Sequence, residues 1–154
     1  MYVVDFLRRE HCVASLRGQG KEDVLRELVE TLTRSGAVKD GPRTLKALMD
    51  RESLGSTGIG DGVAIPHAKL AGAETLTAAF GRSVAGVDYH AVDDKPVTWV
   101  FLLIAPEGAT GQHLKALARI SRMFKSEEFR RTLEEASNAE ELYAMLQKED
   151  AALP

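Results

Sequence analysis

Chemistry is concentrated between Arg51 and His67, where the chain reads Arg51-Glu52-Ser53-Leu54-Gly55-Ser56-Thr57-Gly58-Ile59-Gly60-Asp61-Gly62-Val63-Ala64-Ile65-Pro66-His67. Glycines at this density let backbone N–H groups converge on an anion, and Ser56, Thr57, Gly58 and Gly60 are the candidates for holding it. A tight loop needing several positive φ angles would use the same residues, so the glycine run alone leaves both readings open. It is not a nucleotide P-loop, because no Gly-Lys-Ser/Thr follows. Nor is it a dinucleotide fingerprint, since these glycines precede a strand rather than follow one.

His67 adds a nucleophile to that setting. Pro66 fixes its own φ and holds Ile65 extended, so the imidazole leaves a stiff segment. A nucleophilic imidazole must be neutral, and a hydrogen bond from its protonated nitrogen to a carbonyl would lock the tautomer. Near neutral pH an unperturbed histidine already has a large neutral fraction, so no strong base is required. What phosphoryl transfer through such a group does require is charge stabilisation. Arg51 offers a permanent charge and a planar donor fork; it is equally a cation at a helix end, where the dipole favours it. His113, behind Thr110-Gly111-Gln112, opens a helix whose N-terminus attracts anions and disfavours a protonated ring. It would stay neutral and donate one N–H, or serve only as a polar helix-start residue.

The elements that must carry these residues alternate. Lys21 to Ser35 is predicted as a helix with Val24, Leu25, Leu28 and Leu32 on one face and Gly36 at its stop. A second starts near Pro42, buries Leu45, Leu48 and Met49, and ends near Arg51. Short strands are predicted through Val63-Ala64-Ile65 and within Leu76 to Phe80. Val97 to Ile104 is a continuous apolar run, Trp99 included, as expected for a central strand buried on both faces. After Pro106-Glu107-Gly108 three helices follow: one marked by Leu114, Leu117, Ile120 and Phe124, then Glu127 to Ala136, then Ala139 to Lys148. Ser137 and Glu140 have capping-box spacing for the last, and Asp150 to Pro154 should fray. The expected fold is a single α/β domain over residues 1–154, a mixed parallel/antiparallel central sheet with helices on both faces.

Composition bounds the function. With 154 residues, 44% hydrophobic and 28% charged, the chain suits one soluble core. A net charge of −3 argues against nucleic-acid binding. The longest apolar run is strand-length, so no membrane span is expected, and no signal peptide is evident. The lone Cys12 reads as a small buried hydrophobe and fits a reducing, cytoplasmic setting. His11 and His90 read as surface or packing residues. Lys115, Arg119 and Arg122 share a helical face that is either solvated or a docking surface for an acidic partner.

The motif Gly58-Ile59-Gly60 followed by Ala64-Ile65-Pro66-His67 resembles the active-site signature of the fructose/mannitol/nitrogen-regulatory, or type-2, class of IIA proteins of the bacterial phosphotransferase system. The resemblance extends from roughly Leu25 to Leu146. It implies that His67 accepts a phosphoryl group from a small histidine phosphocarrier protein, that His113 matches the second histidine of mannitol-type members, and that Arg51 matches the family's upstream arginine. Many members have glycine where this chain has Ala68. Tyr89 to Val97, with Phe101 to Pro106, is more similar to the nitrogen-regulatory branch, and the chain carries no IIB cysteine motif and no IIC membrane domain. The resemblance thus implies a cytoplasmic regulator, phosphorylated and then read by target proteins, working without cofactor or metal. The alternatives are a sugar-specific IIA component passing its phosphoryl group to a IIB protein, and a non-catalytic interaction domain. A metal-dependent hydrolase using His67, His90, His113 and Asp61 lacks the usual ligand spacings.

Overall fold

The computed structural model describes residues 1–154. In chain order the elements are β1 (Leu7–Val13), α1 (Lys21–Arg34), α2 (Gly41–Ser53), β2 (Gly58–Gly60), β3 (Val63–Ala64), β4 (His67–Leu70), β5 (Thr77–Val87), β6 (Val97–Pro106), α3 (Thr110–Phe124), α4 (Glu127–Glu134) and α5 (Ala139–Ala152), with a short 3-10 turn Val3–Asp5 ahead of β1. The strands form one six-stranded mixed sheet in the order β1-β5-β6-β3-β2, with β4 also paired to β6. β6 runs antiparallel to β5 and parallel to both β3 and β4.

The apolar run that forms β6 is central because side chains alternate across a strand. Trp99, Phe101 and Leu103 face a core closed by α3, α4 and α5, whereas Val100, Leu102 and Ile104 face a second core closed by α1 and α2. An aromatic cluster fills the first, Phe80 stacking on Trp99 at 6.0 Å and lying 5.8 Å from Phe124. In the second, Val24, Leu25, Leu28 and Leu32 of α1 are fully buried. Asp40 caps α2 by accepting from the Arg43 N–H at 3.1 Å, with Pro42 in the first turn. Helices therefore cover both faces, as the alternating pattern requires.

Several elements differ from the sequence reading. β1 is absent from it because Arg8, Arg9 and Glu10 interrupt any apolar pattern; all three are exposed on an edge strand that carries a bulge between Leu7 and Cys12. β4 was hidden by Pro66, which supplies no N–H; the ladder continues instead by the Leu103 N–H donating to the Pro66 carbonyl at 2.9 Å. β5 extends well beyond Phe80. In α3 the buried stripe is His113, Ala116, Ile120, Met123 and Phe124, leaving Leu114 exposed and Leu117 half-buried. The cap of α5 falls one residue later than Ser137: Asn138 accepts from the Glu141 N–H, and the Glu141 carboxylate accepts from the Ser137 N–H. His11 is a packing residue, fully buried with Nε2–H donating to Ser35 Oγ, whose own hydroxyl donates to the Leu32 carbonyl.

The chain end does not fray at Asp150. This residue lies within α5 and is 1% exposed. Its carboxylate accepts from the Val3 N–H at 2.6 Å and from Arg119 Nε at 2.6 Å, and its carbonyl accepts from Arg119 Nη2 at 2.7 Å. Arg119 therefore leaves the solvated face expected for it and ties α3 to α5 and the N-terminal turn; Lys115 and Arg122 remain exposed. Removing one partner from a buried ion pair strands the other charge and costs about 3–5 kcal/mol. Asp150→Ala is expected to lower the unfolding free energy by about 3 kcal/mol in urea titrations; a loss below about 1 kcal/mol would place the pair among solvated surface bridges.

Candidate functional site

α2, β4 and α3 bring the candidate residues together. β4 opens with His67 beside Leu103 of β6, α2 delivers Arg51 in its last turn, and α3 delivers His113 in its first. All three line one cavity of about 690 Å³, together with Lys69, Thr110 and the apolar residues Leu54, Leu114 and Leu117. The two imidazoles meet edge to face, their ring centroids 5.3 Å apart.

His67 is half-buried, and its Nδ1 lies 2.8 Å from the Ile65 carbonyl oxygen. A carbonyl only accepts, so Nδ1 carries the proton and donates, which leaves the lone pair on Nε2. Burial lowers the His67 pKa; the Ile65 bond and Glu52 oppose the shift, and Arg51 adds to it. The ring is thus neutral at neutral pH. His113 is 4% exposed, its Nε2 has no partner within the protein, and burial, reinforced by His67 and Lys69, lowers its pKa to about 4. Two neutral rings next to cations make a site that can take up an anion without first losing protons.

The cations are available. Arg51 donates through Nη1 to the Gly55 carbonyl at 2.9 Å and makes no ion pair; Lys69 donates to Thr110 Oγ1 at 3.2 Å and likewise makes none. Asp50, the acidic group lining the cavity, is occupied by Lys46 at 2.8 Å. Lys69 was missed in the sequence because β4 was not read as a strand. Two residues on from His67, it shares that side of the sheet by alternation. Ala68, where many family members have glycine, points the other way into the α1–α2 core.

The glycine run plays another part. Thr57 is 4% exposed, donates to Glu52 through both its hydroxyl and its N–H, and lies 3.0 Å from the Tyr89 hydroxyl. Ser56 Oγ donates to the Tyr89 carbonyl and accepts from the Gly58 N–H. Gly58 and Gly60 form β2; a Cβ on Gly58 would lie 2.7 Å from that of Ala91, and Gly60 has φ +100°. None of these four residues lines the His67 cavity, so the structure does not bring the expected anion loop to the histidine. Their polar groups are consumed by the buried carboxylate of Glu52, which also accepts from Lys21 Nζ at 3.0 Å. Sequence reading missed Glu52, whose signal was only its place beside Arg51. Asp61 and His90 are exposed, and no group of three or more His, Cys, Asp or Glu residues is arranged to hold a metal ion.

A mixed sheet wrapped by helices, with a neutral histidine opening an inner strand between unpaired cations, has the layout of a phosphotransferase-system protein of the IIA class. Residues 5–149 match the family described as "Phosphoenolpyruvate-dependent sugar phosphotransferase system, EIIA 2", and the chain belongs to that family. The match includes β1 and so reaches further than the stretch from Leu25 to Leu146. The chain is 38% identical over 150 residues to the PTS system fructose-specific EIIABC component of Bacillus subtilis, covering 97% of this chain but only 24% of that protein. It is 36% identical over 146 residues to the Nitrogen regulatory protein of Bradyrhizobium diazoefficiens, covering 95% of each. The crystal structure of Nitrogen Regulatory Protein IIA-Ntr from Neisseria meningitidis is similar with a TM-score of 0.86 at 37% identity, over 92% of this chain and 97% of that one.

The depressed pKa of His113 has a consequence for pH. An unfolded histidine takes up its proton near pH 6.5, whereas folded His113 does so near 4. Between those values the unfolded state binds more protons, so this residue's stabilising contribution is present above about pH 6.5 and is lost as the pH falls towards 4. In a 15N imidazole titration by NMR, His113 is expected to stay neutral to near pH 4; a midpoint near 6.5 would show an open, solvated ring.

Proposed function

We propose that this protein is a phosphohistidine carrier that accepts a phosphoryl group on Nε2 of His67 from a small histidine phosphocarrier protein and acts as a phosphorylation-dependent nitrogen or metabolic regulator in the cytoplasm. The observation that carries the reading is the Nδ1–H bond to the Ile65 carbonyl, which leaves Nε2 as the free lone pair of a neutral ring. In the transfer, that lone pair attacks the donor's phosphorus. The new N–P bond forms as the donor's N–P bond breaks, and the donor imidazole leaves with the electron pair and takes up a proton. Arg51 and Lys69, both without carboxylate partners, supply the positive charge that the equatorial oxygens need, and His113, with an unsatisfied ring nitrogen, supplies a further hydrogen-bonding group. No metal or cofactor enters this scheme.

Two relatives bear on the branch. Similarity across 95% of the nitrogen regulatory relative supports the regulatory role. The fructose-specific relative supports a second reading, in which His67 hands its phosphoryl group to a IIB protein during sugar uptake. Phosphorylation adds about −1.5 to −2 charges to the cavity rim, taking phosphoserine as the guide, and a partner docking there would distinguish the two forms by local charge.

The test is incubation with phosphoenolpyruvate, enzyme I and the small histidine carrier, read by intact mass. One acid-labile phosphoryl group is expected, absent from His67→Ala; equal incorporation into that variant would overturn the assignment. Rapid onward transfer to a IIB protein, with every recovered partner binding both forms alike, would replace the regulatory role with sugar transport. Arg51→Ala is expected to retain the fold and to slow phosphoryl transfer about a hundredfold, the loss typical of one preorganised donor. A rate in stopped-flow transfer assays within about threefold of wild type would return Arg51 to a helix-end role.

A further inference from the structure

The end of α2 remote from Arg51 borders a second cavity, of about 500 Å³, a volume that suits a small ligand. Its floor is the end of the sheet, Leu70 of β4, Thr77 of β5 and Ile104 of β6, and its wall is the turn from α1 into α2. The charges on that wall are unequal in their freedom. Lys39 and Glu74 neutralise each other at 3.0 Å. The Asp40 carboxylate is turned into the first turn of α2, where it accepts from the Arg43 N–H. The last carbonyls of α1 are capped by the N–H groups of Gly36, Ala37 and Val38. Arg43, by contrast, makes no ion pair, and Arg8 has only Glu10 at 3.8 Å with both side chains more than half exposed. The cavity therefore presents two uncommitted guanidinium groups beside the positive end of a helix dipole.

A second observation points to a ligand. Thr77 is only 9% exposed, and its hydroxyl makes no hydrogen bond within the protein. Strand alternation places it on the α1–α2 side, since Ala78 and Phe80 face the other core and Ala79 shares its side. That side is where the cavity lies, and Thr77 lines it. A buried hydroxyl without a partner is costly, and a bound oxygen would satisfy it.

We propose that this cavity binds a small organic phosphate. The phosphoryl oxygens are held by Arg8 and Arg43 at the start of α2, the Thr77 hydroxyl hydrogen-bonds the ligand, and its uncharged body rests on Leu70, Ala73 and Ile104. The site is separate from the His67 cavity, although α2 and β4 border both. It stands independently of the role assigned to His67.

The probe is glycerol 3-phosphate added to 15N-labelled protein, with glycerol and succinate as controls. Saturable amide shifts at Gly36, Thr44 and Thr77 are expected with glycerol 3-phosphate and not with glycerol. Arg8→Gln and Arg43→Gln, both at exposed positions, are each expected to weaken binding about tenfold, as for the loss of one charge-assisted hydrogen bond; the same spectra report that each variant is folded. His67→Ala is expected to bind as wild type. The proposal is overturned by shifts confined to the His67 cavity, by no saturation up to about 10 mM, by affinity within about twofold of wild type in either arginine variant, or by succinate binding as tightly as the phosphate.

Discussion

The hydrogen bond from Nδ1–H of His67 to the Ile65 carbonyl decides which nitrogen of the ring can react, and it is only as good as the backbone that carries both ends. Its net energy is modest, about 0.5–1.5 kcal/mol for a typical intramolecular bond. Geometry makes it decisive. β3 and β4 pair with the same edge of β6, β3 at Trp99 and Val100 and β4 from Leu103 onward, so Ile65 and Pro66 are pinned on both sides. The Ile65 N–H donates to the Thr57 carbonyl at 3.0 Å, and the Pro66 carbonyl accepts from Leu103. With no freedom left in that dipeptide, the carbonyl stays under the imidazole and the tautomer stays fixed.

Charge around the ring is sorted by the helical period. Consecutive residues of an α-helix point about 100° apart, so Arg51 faces the cavity while Glu52 turns into the protein. The one carboxylate that could quench the site is thereby saturated by Lys21 and Thr57, with Lys21 Nζ lying 4.6 Å from the centre of the Tyr89 ring. That same network anchors the glycine run against the end of α2. The run's glycines then serve close backbone approach, as at Gly58 against Ala91, and the turn at Gly60. A loop whose composition suggests anion binding is here a clamp that keeps Arg51 and β3 in register.

His113 depends on the opposite core. It is the first buried residue of α3, and the helix is held by Ile120, Met123 and Phe124 in the aromatic cluster and by the Arg119–Asp150 pair. The last residues of the chain thus help to place a ring in the site, which neither the polarity of Asp150 nor its position near the terminus indicates.

The sequence by itself determined the reactive histidine, the alternation of elements and the central strand, because these are local: Pro66 stiffens the approach to His67, apolar spacing marks α1, and an unbroken apolar run marks β6. It also determined that Arg51 and His113 were candidates, since type and helix position are readable in one dimension. Whether the two meet His67 was not readable, nor that Lys69 joins them, because β4 becomes a strand only by docking on β6. Two further assignments were made by folding alone. Thr57 was diverted from the anion to Glu52, and Arg119 from solvent to Asp150, because burying a carboxylate is tolerable only where donors converge on it, and those donors come from segments far apart in the chain.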